Sequence, residues 1–129
     1  MVIKIVDNDP KYYEFIRILR NDDRVSNGFI QTKQISEEDQ IQYMSKYGSN
    51  YIIVLVDGVP AGYAGSIDSD IRVCVHPDFQ GKGLGQILIG HLMNRFPDSY
   101  AKVKIDNEAS KKMFIKCGFK VKYVIMERE

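Results

Sequence analysis

The sequence predicts an α+β domain built on a mixed, mostly antiparallel twisted sheet with helices on both faces. Three observations carry that expectation. Residues 51–56, YIIVLV, and 60–67, PAGYAGSI, flank the dipeptide Asp57-Gly58, a residue pair favoured in two-residue β-hairpins. Other stretches instead repeat apolar residues at helical spacing. A strand-like run at 70–76, DIRVCVH, passes into a glycine cluster and then into one of these helical stretches, so strand and helix alternate toward the C-terminus.

The elements follow in order. Residues 2–6, VIKIV, alternate and are β-branched, which predicts a strand. Asp9-Pro10 opens a helix whose apolar face holds Tyr12, Phe15, Ile16 and Leu19. Residues 20–35 are polar and irregular. Ser36, followed by Glu37, Glu38 and Asp39, is an N-cap signal, and Ile41, Met44 and Tyr47 form the expected apolar side of that helix. The hairpin and the run at 70–76 follow. After Gly83 the spacing of Leu84, Ile87, Leu88 and Leu92 predicts a helix that Phe96-Pro97 closes. Residues 99–105 read as a strand, 107–117 as a helix with Asn107 at its N-cap and Gly118 at its C-cap, and 119–127 as a last strand. The predicted order is βααβββαβαβ.

Composition narrows the class. With 129 residues and a hydrophobic fraction of 44%, the chain has room for one core, so residues 1–129 are expected to form a single domain. Eighteen Lys and Arg against seventeen Asp and Glu leave a net charge of +1, which argues against nucleic acid or a membrane surface as partner. The longest apolar run, 51–56, is too short to span a bilayer, and the first residues carry no secretory apolar core. Cys74 and Cys117 form no CxxC pair and read as reduced side chains, giving the expectation of a cytoplasmic protein. A buried Cys74 is the plainer reading than a catalytic one. His76 and His91 lack partners at ligand spacing, so no metal is expected.

The glycine cluster, Gln80-Gly81-Lys82-Gly83-Leu84-Gly85, carries the chemistry. A glycine-rich turn at a helix N-terminus presents unpaired N–H groups beside the positive end of the helix dipole, a natural seat for a phosphate. Two nucleotide motifs fit it poorly. A phosphate-binding loop of the Walker type needs Ser or Thr after Gly-Lys, and here Gly83 follows Lys82. A dinucleotide fingerprint needs GxGxxG in a parallel unit, whereas this stretch reads GxGxG after a hairpin.

Gln80, Gly83 and Gly85, after Val75-His76-Pro77, match Gln-x-x-Gly-x-Gly. Asn107, Ser110, Phe114 and Gly118-Phe119 match a second pattern, N-x-x-(A/S)-x-x-x-(Y/F)-x-x-x-G-F. On these two signatures, in order and suitably spaced, the chain resembles the GNAT superfamily of N-acetyltransferases, and its element order covers that family's acyl-CoA N-acyltransferase fold from end to end. The resemblance implies an enzyme that transfers an acetyl group from acetyl-CoA, as cosubstrate, to a primary amine by direct attack in a ternary complex.

The resemblance also implies roles. Gln80, Gly81, Lys82, Gly83, Leu84 and Gly85 would hold the pyrophosphate; Val73, Cys74 and Val75 would pair with the pantetheine arm; Asn107, Ser110 and Phe114 would line its other side. Lys111, Lys112 and Lys116 could meet the 3′-phosphate, or form a solvated helix face. Many family members carry Tyr where this chain has Phe114, and that hydroxyl protonates the leaving thiolate. Phe114 has no proton to give, which leaves the general acid open, with Tyr63 and Tyr123 as candidates. Asp70 and Asp68 are the candidate general bases, Asp70 favoured; turn chemistry is the alternative for both. An amine of pKa about 10 needs some such route to its neutral form. His76 reads as structural.

Residues 20–40 are similar to the matching region of GNAT enzymes that acylate amino groups on nucleotide-linked sugars. This makes Arg20, Arg24, Glu37 and Glu38 candidate acceptor contacts and a small amine, an amino sugar, the expected acceptor. A polar surface loop is the alternative for that segment. Two further readings stand beside this one: a protein N-terminal or lysine acetyltransferase, and a non-catalytic acyl-CoA-binding module. An exposed strand edge near the C-terminus admits a homodimer.

Overall fold

The computed structural model describes residues 1–30 and 33–129; Gln31 and Thr32, inside the polar segment of the acceptor expectation, lie outside the described residues. Four strands form one antiparallel sheet in sequence order: β1 (Ile3–Asp7), β2 (Tyr51–Val56), β3 (Val59–Ile67) and β4 (Asp70–Val75). Between β1 and β2 lie α1 (Tyr13–Asn21), the one-turn α2 (Asp23–Ser26) and α3 (Glu37–Tyr47). After β4 come α4 (Leu84–Arg95) and α5 (Glu108–Lys116).

Alternation along the strands sorts their side chains onto two faces. Ile52, Val54 and Val56 of β2 join Ile71 of β4 on one face, under Leu84, Leu88, Ile89 and Leu92 of α4. Those four side chains are at most 1% exposed. Each burial of that kind stabilises the fold by ~1.5–3 kcal/mol, so α4 is among the firmest elements. Tyr51, Ile53, Tyr63 and Cys74 point to the other face, against Ile16 and Leu19 of α1 and Met44 of α3.

Local chemistry sets the boundaries. Asp9 accepts from the Lys11 N–H (3.1 Å) ahead of the turn that leads into α1, and Ser36 Oγ accepts from the Asp39 N–H (3.1 Å) at the start of α3. Asp57 (φ 51°) and Gly58 (φ 81°) both take the left-handed region in the β2–β3 turn, as the two-residue hairpin requires. Asn107 Oδ1 accepts from the Ser110 N–H (3.1 Å) at the start of α5, and Gly118 (φ 93°) follows its end.

Four expectations are corrected. The polar segment contains α2, held by Asp22 at its N-cap. On α3 the apolar stripe is displaced: Ile41 is exposed, while Gln40 is buried because its amide donates to the Tyr13 carbonyl (2.9 Å). Residues 99–105 form no strand beyond one parallel bridge, Asp70 to Tyr100. Residues 119–127 form no strand at all; Val121, Tyr123, Val124, Ile125 and Met126 are exposed. Alternation measures how well a segment would suit a half-buried sheet surface, and here no described strand lies alongside to supply one.

Candidate active site

The site begins at β4. The His76 N–H donates to the Ala61 carbonyl (2.8 Å), so the backbone groups of His76, Cys74 and Arg72 face β3. Alternation turns those of Ile71, Val73 and Val75 outward. At the start of the strand this outer edge is occupied: Ile71 donates to the Tyr100 carbonyl (2.9 Å), and Tyr100 donates to the Ser69 carbonyl (2.8 Å). Further along, the following segment leaves β4, and no described strand pairs with the outward groups of Val73 and Val75. The Val75 carbonyl instead accepts from the Gln80 side-chain amide (3.2 Å).

That hydrogen bond ties the strand to the glycine turn. His76 helps shape it, its Nδ1 accepting from the Asp78 N–H (3.1 Å), which is a structural role. Gly81 and Gly83 have φ of +81° and +75°, and a Cβ built on either meets nothing within 4 Å. Gly83 is the N-cap of α4 and supplies no side-chain cap, so the first-turn amides face outward unsatisfied. An open, glycine-lined helix start of this kind suits a phosphate. Gly85 serves differently. It is buried, and a Cβ there would collide with Met113 Sδ of α5, so this glycine lets the two helices approach.

A cavity of about 840 Å³ runs past β4 and joins two regions. On one side lie Val73, Val75, Gln80, Asn107, Ser110 and Phe114; on the other lie Arg20, Tyr43, Tyr51, Tyr63, Asp70 and Arg72. The Tyr43 and Tyr51 hydroxyls hydrogen bond at 2.6 Å. Burial pushes the Tyr51 and Tyr63 hydroxyls far above the usual tyrosine range and Tyr43 upward too, so all three stay protonated. The Asp70 carboxylate meets Arg72 at 3.6 Å and Lys102 at 3.7 Å.

The expected residues divide. Asp70, Val73, Cys74, Val75, Gln80, Asn107, Ser110, Phe114, Arg20 and Arg24 line the cavity. Gly81, Lys82 and Gly83 form the exposed turn beside it, whereas Leu84 is a core residue of α4. Asp68 is corrected: it occupies a left-handed turn position (φ 52°) and lines a separate small pocket with Asn50, Ser66 and Arg95. Glu37 and Glu38 are corrected as well. They sit in the first turn of α3, where carboxylates favour the helix dipole, and the side chains of α3 that do reach the cavity are Asp39, Gln40, Tyr43 and Met44. Lys111, Lys112 and Lys116 are exposed on α5. Phe114 is buried edge-on against Phe119 (5.2 Å), and Tyr123 is exposed outside the cavity.

Sequence reasoning missed Tyr43, Tyr51, Arg72 and Lys102. Arg72 had a signal: it lies two residues from both Asp70 and Cys74, hence on their face of the strand. Lys102 and the tyrosines come together only through tertiary packing. Among the described residues no three His, Cys, Asp or Glu side chains are grouped to hold a metal ion, and no helix is long and apolar enough to cross a membrane.

Comparison with known proteins bears on family and fold. The model of the acetyltransferase (GNAT) family matches residues 12–119. No curated protein sequence matches the chain. Among solved structures, a phosphinothricin acetyltransferase from Sinorhizobium meliloti in complex with acetyl-CoA superposes with TM-score 0.81 at 17% identity, over 95% of this chain and 77% of that one. An N-acetyltransferase from Staphylococcus aureus Mu50 gives TM-score 0.76 at 20% identity, over 93% and 84%. Spermidine N-acetyltransferase from Vibrio cholerae, in complex with CoA and spermine, gives 0.74 at 16% identity, over 90% and 79%. At such identities the likeness is one of fold.

The surroundings of Cys74 generate a prediction. Burial pushes its thiol up to about 12, so at pH 8 almost none is thiolate. Iodoacetamide at pH 8 is expected to leave Cys74 unmodified in the folded protein and to label it after denaturation, as read by peptide mass spectrometry. Rapid labelling of native Cys74 would contradict the buried, non-nucleophilic assignment.

Proposed function

The chain belongs to the GNAT acetyltransferase family, and from that premise we propose that it acetylates the primary amine of a small amino sugar, using acetyl-CoA, by direct attack in a ternary complex. The observation that carries this reading is the unpaired outer edge of β4 beside an uncapped glycine turn, both opening on one cavity. The residues fit the cosubstrate: the amides of Gly81 to Gly85 take the pyrophosphate, and the outward groups of Val73 take the pantetheine arm, leaving the Val75 N–H, whose carbonyl is held by Gln80, for the thioester. Acetyl-CoA, when bound, supplies the activated thioester carbonyl.

The rest of the chemistry falls to the chain. The acceptor nitrogen forms the C–N bond as the C–S bond breaks, losing one proton while the sulfur takes one. The Val75 N–H polarises the carbonyl oxygen where negative charge develops. Asp70 accepts the proton of the amine, directly or through water. Tyr63, which lines the cavity, is the hydroxyl proposed in place of the family's usual donor; burial raises its pKa, which weakens it as an acid, so water is the alternative proton source. Support for a second reading, a non-catalytic acyl-CoA-binding module, comes from the apolar packing of Phe114.

Two outcomes separate these readings. Acetyl-CoA at 100 times its Kd should stabilise the protein by ~2.7 kcal/mol and raise Tm accordingly. Gly83→Glu, which puts a carboxylate at the phosphate seat, should abolish that shift. Thiol release should accompany amino-sugar acceptors in a panel that also includes peptides. A Tm shift with no thiol release across the panel would favour the binding module; no Tm shift would end the acetyl-transfer reading.

A homodimer is proposed to form through the exposed apolar run at 121–126. Light scattering should then give twice the 14.8 kDa chain mass, and Ile125→Lys should lower it. A wild-type monomer at high concentration would remove this proposal.

A further inference from the structure

The charge of the cavity is lopsided. Among the described residues it is lined by five basic side chains, Arg20, Arg24, Lys33, Arg72 and Lys102, and two acidic ones, Asp39 and Asp70. Arg24 is neutralised by Asp22, whose carboxyl is held down to about 2 by the guanidinium 2.7 Å away. Asp70 offers a single carboxylate to two cations, Arg72 and Lys102. Arg20 lies with its guanidinium carbon 4.1 Å from the centroid of the Phe29 ring. Arg20 and Arg72 line the same cavity as Tyr43 and Tyr63.

A low-dielectric cleft lined by one sign of charge focuses its field and favours a counter-ion there. Guanidinium groups suit carboxylate and phosphate oxygens because they can donate two parallel hydrogen bonds. The same cations bear on the reaction itself. A positive neighbour disfavours the ammonium form of an amine, and only the neutral form is a nucleophile.

We infer that the acceptor amine carries an anionic group, a phosphate or a carboxylate, held in this cavity by Arg72 and Arg20, while the surrounding positive charge helps keep the amine neutral. The inference rests on the acetyl-transfer reading and narrows its acceptor class: neutral amino sugars and polyamines are poor ligands.

Calorimetric titration of the CoA-saturated protein tests it without requiring turnover, since saturating CoA closes the cosubstrate's own phosphate seat. The probes are glucosamine, glucosamine 6-phosphate, glycinamide, glycine and spermidine. The anion-bearing member of a pair should bind about 10-fold or more tightly than its partner, from charge-assisted hydrogen bonds. The phosphate and carboxylate pairs show which anion the site prefers. Arg72→Gln should erase the preference, Arg72→Lys should keep part of it, and the Tm shift with acetyl-CoA should survive in both as evidence of an intact fold. Equal affinities within both pairs, tighter binding of spermidine, or no binding of either anion-bearing probe would overturn the inference. Thiol release measured in parallel keeps the two readings apart: equal turnover of neutral and anion-bearing amines sinks the inference alone, whereas binding without any release sinks the acetyl-transfer reading and leaves the anion site standing.

Discussion

The site depends on a strand pairing that starts and then stops. Tyr100 makes two backbone hydrogen bonds at the start of β4, one to the Ile71 N–H side and one to the Ser69 carbonyl, and the chain after it moves away. Had the ladder continued, Val73 and Val75 would have spent their outward groups on sheet. Because it ends, a rigid edge strand presents backbone groups that no described strand pairs, those of Val73 and the Val75 N–H, to a cavity, a combination that soluble sheets ordinarily cover. The rigidity comes from elsewhere. β4 is clamped to β3 through an unbroken register, and its Ile71 lies under the apolar side chains of α4.

The two faces of β4 then divide the labour. Odd-numbered side chains, Ile71, Val73 and Val75, belong to the core beneath α4, which also carries the glycine turn at its N-terminus. Even-numbered ones, Asp70, Arg72 and Cys74, belong to the side of α1 and α3, where the tyrosines and the excess of positive charge gather. One strand thus positions the proposed phosphate seat through the helix that follows it and the proposed acceptor region through its opposite face. Burial sets the character of that second region: it keeps the tyrosine hydroxyls protonated and Cys74 unreactive.

Much of this was legible from residues whose local chemistry needs no partner far along the chain. Asp57-Gly58, the Ser36 and Asn107 caps, and the apolar spacing after Gly83 each specify structure within a few residues, and each element formed. The glycine turn around Gln80, Gly83 and Gly85, to which a phosphate-holding role is proposed, was equally visible, although Gly85 turns out to serve helix packing against Met113. What failed depended on long-range placement. Residues 99–105 and 119–127 have strand composition, yet a strand also needs a neighbour. Asp68 is two residues from Asp70 but belongs to the turn, and Glu37 and Glu38 share the first turn of α3 with Asp39, which lines the cavity while they do not. Lys102 and Tyr51 reach the cavity from segments far apart in sequence, which no local pattern announces.

The proposed reading is tested most directly at the backbone of β4. Amide hydrogen exchange of Val73 and Val75, followed by NMR with and without saturating CoA, reports whether their outward N–H groups acquire a partner. The account predicts strong slowing at both amides, together with those of the Gly81–Gly85 turn, while Arg72 and Cys74, already bonded to β3, change little. Tight CoA binding that leaves the Val73 and Val75 amides exchanging as before would contradict it.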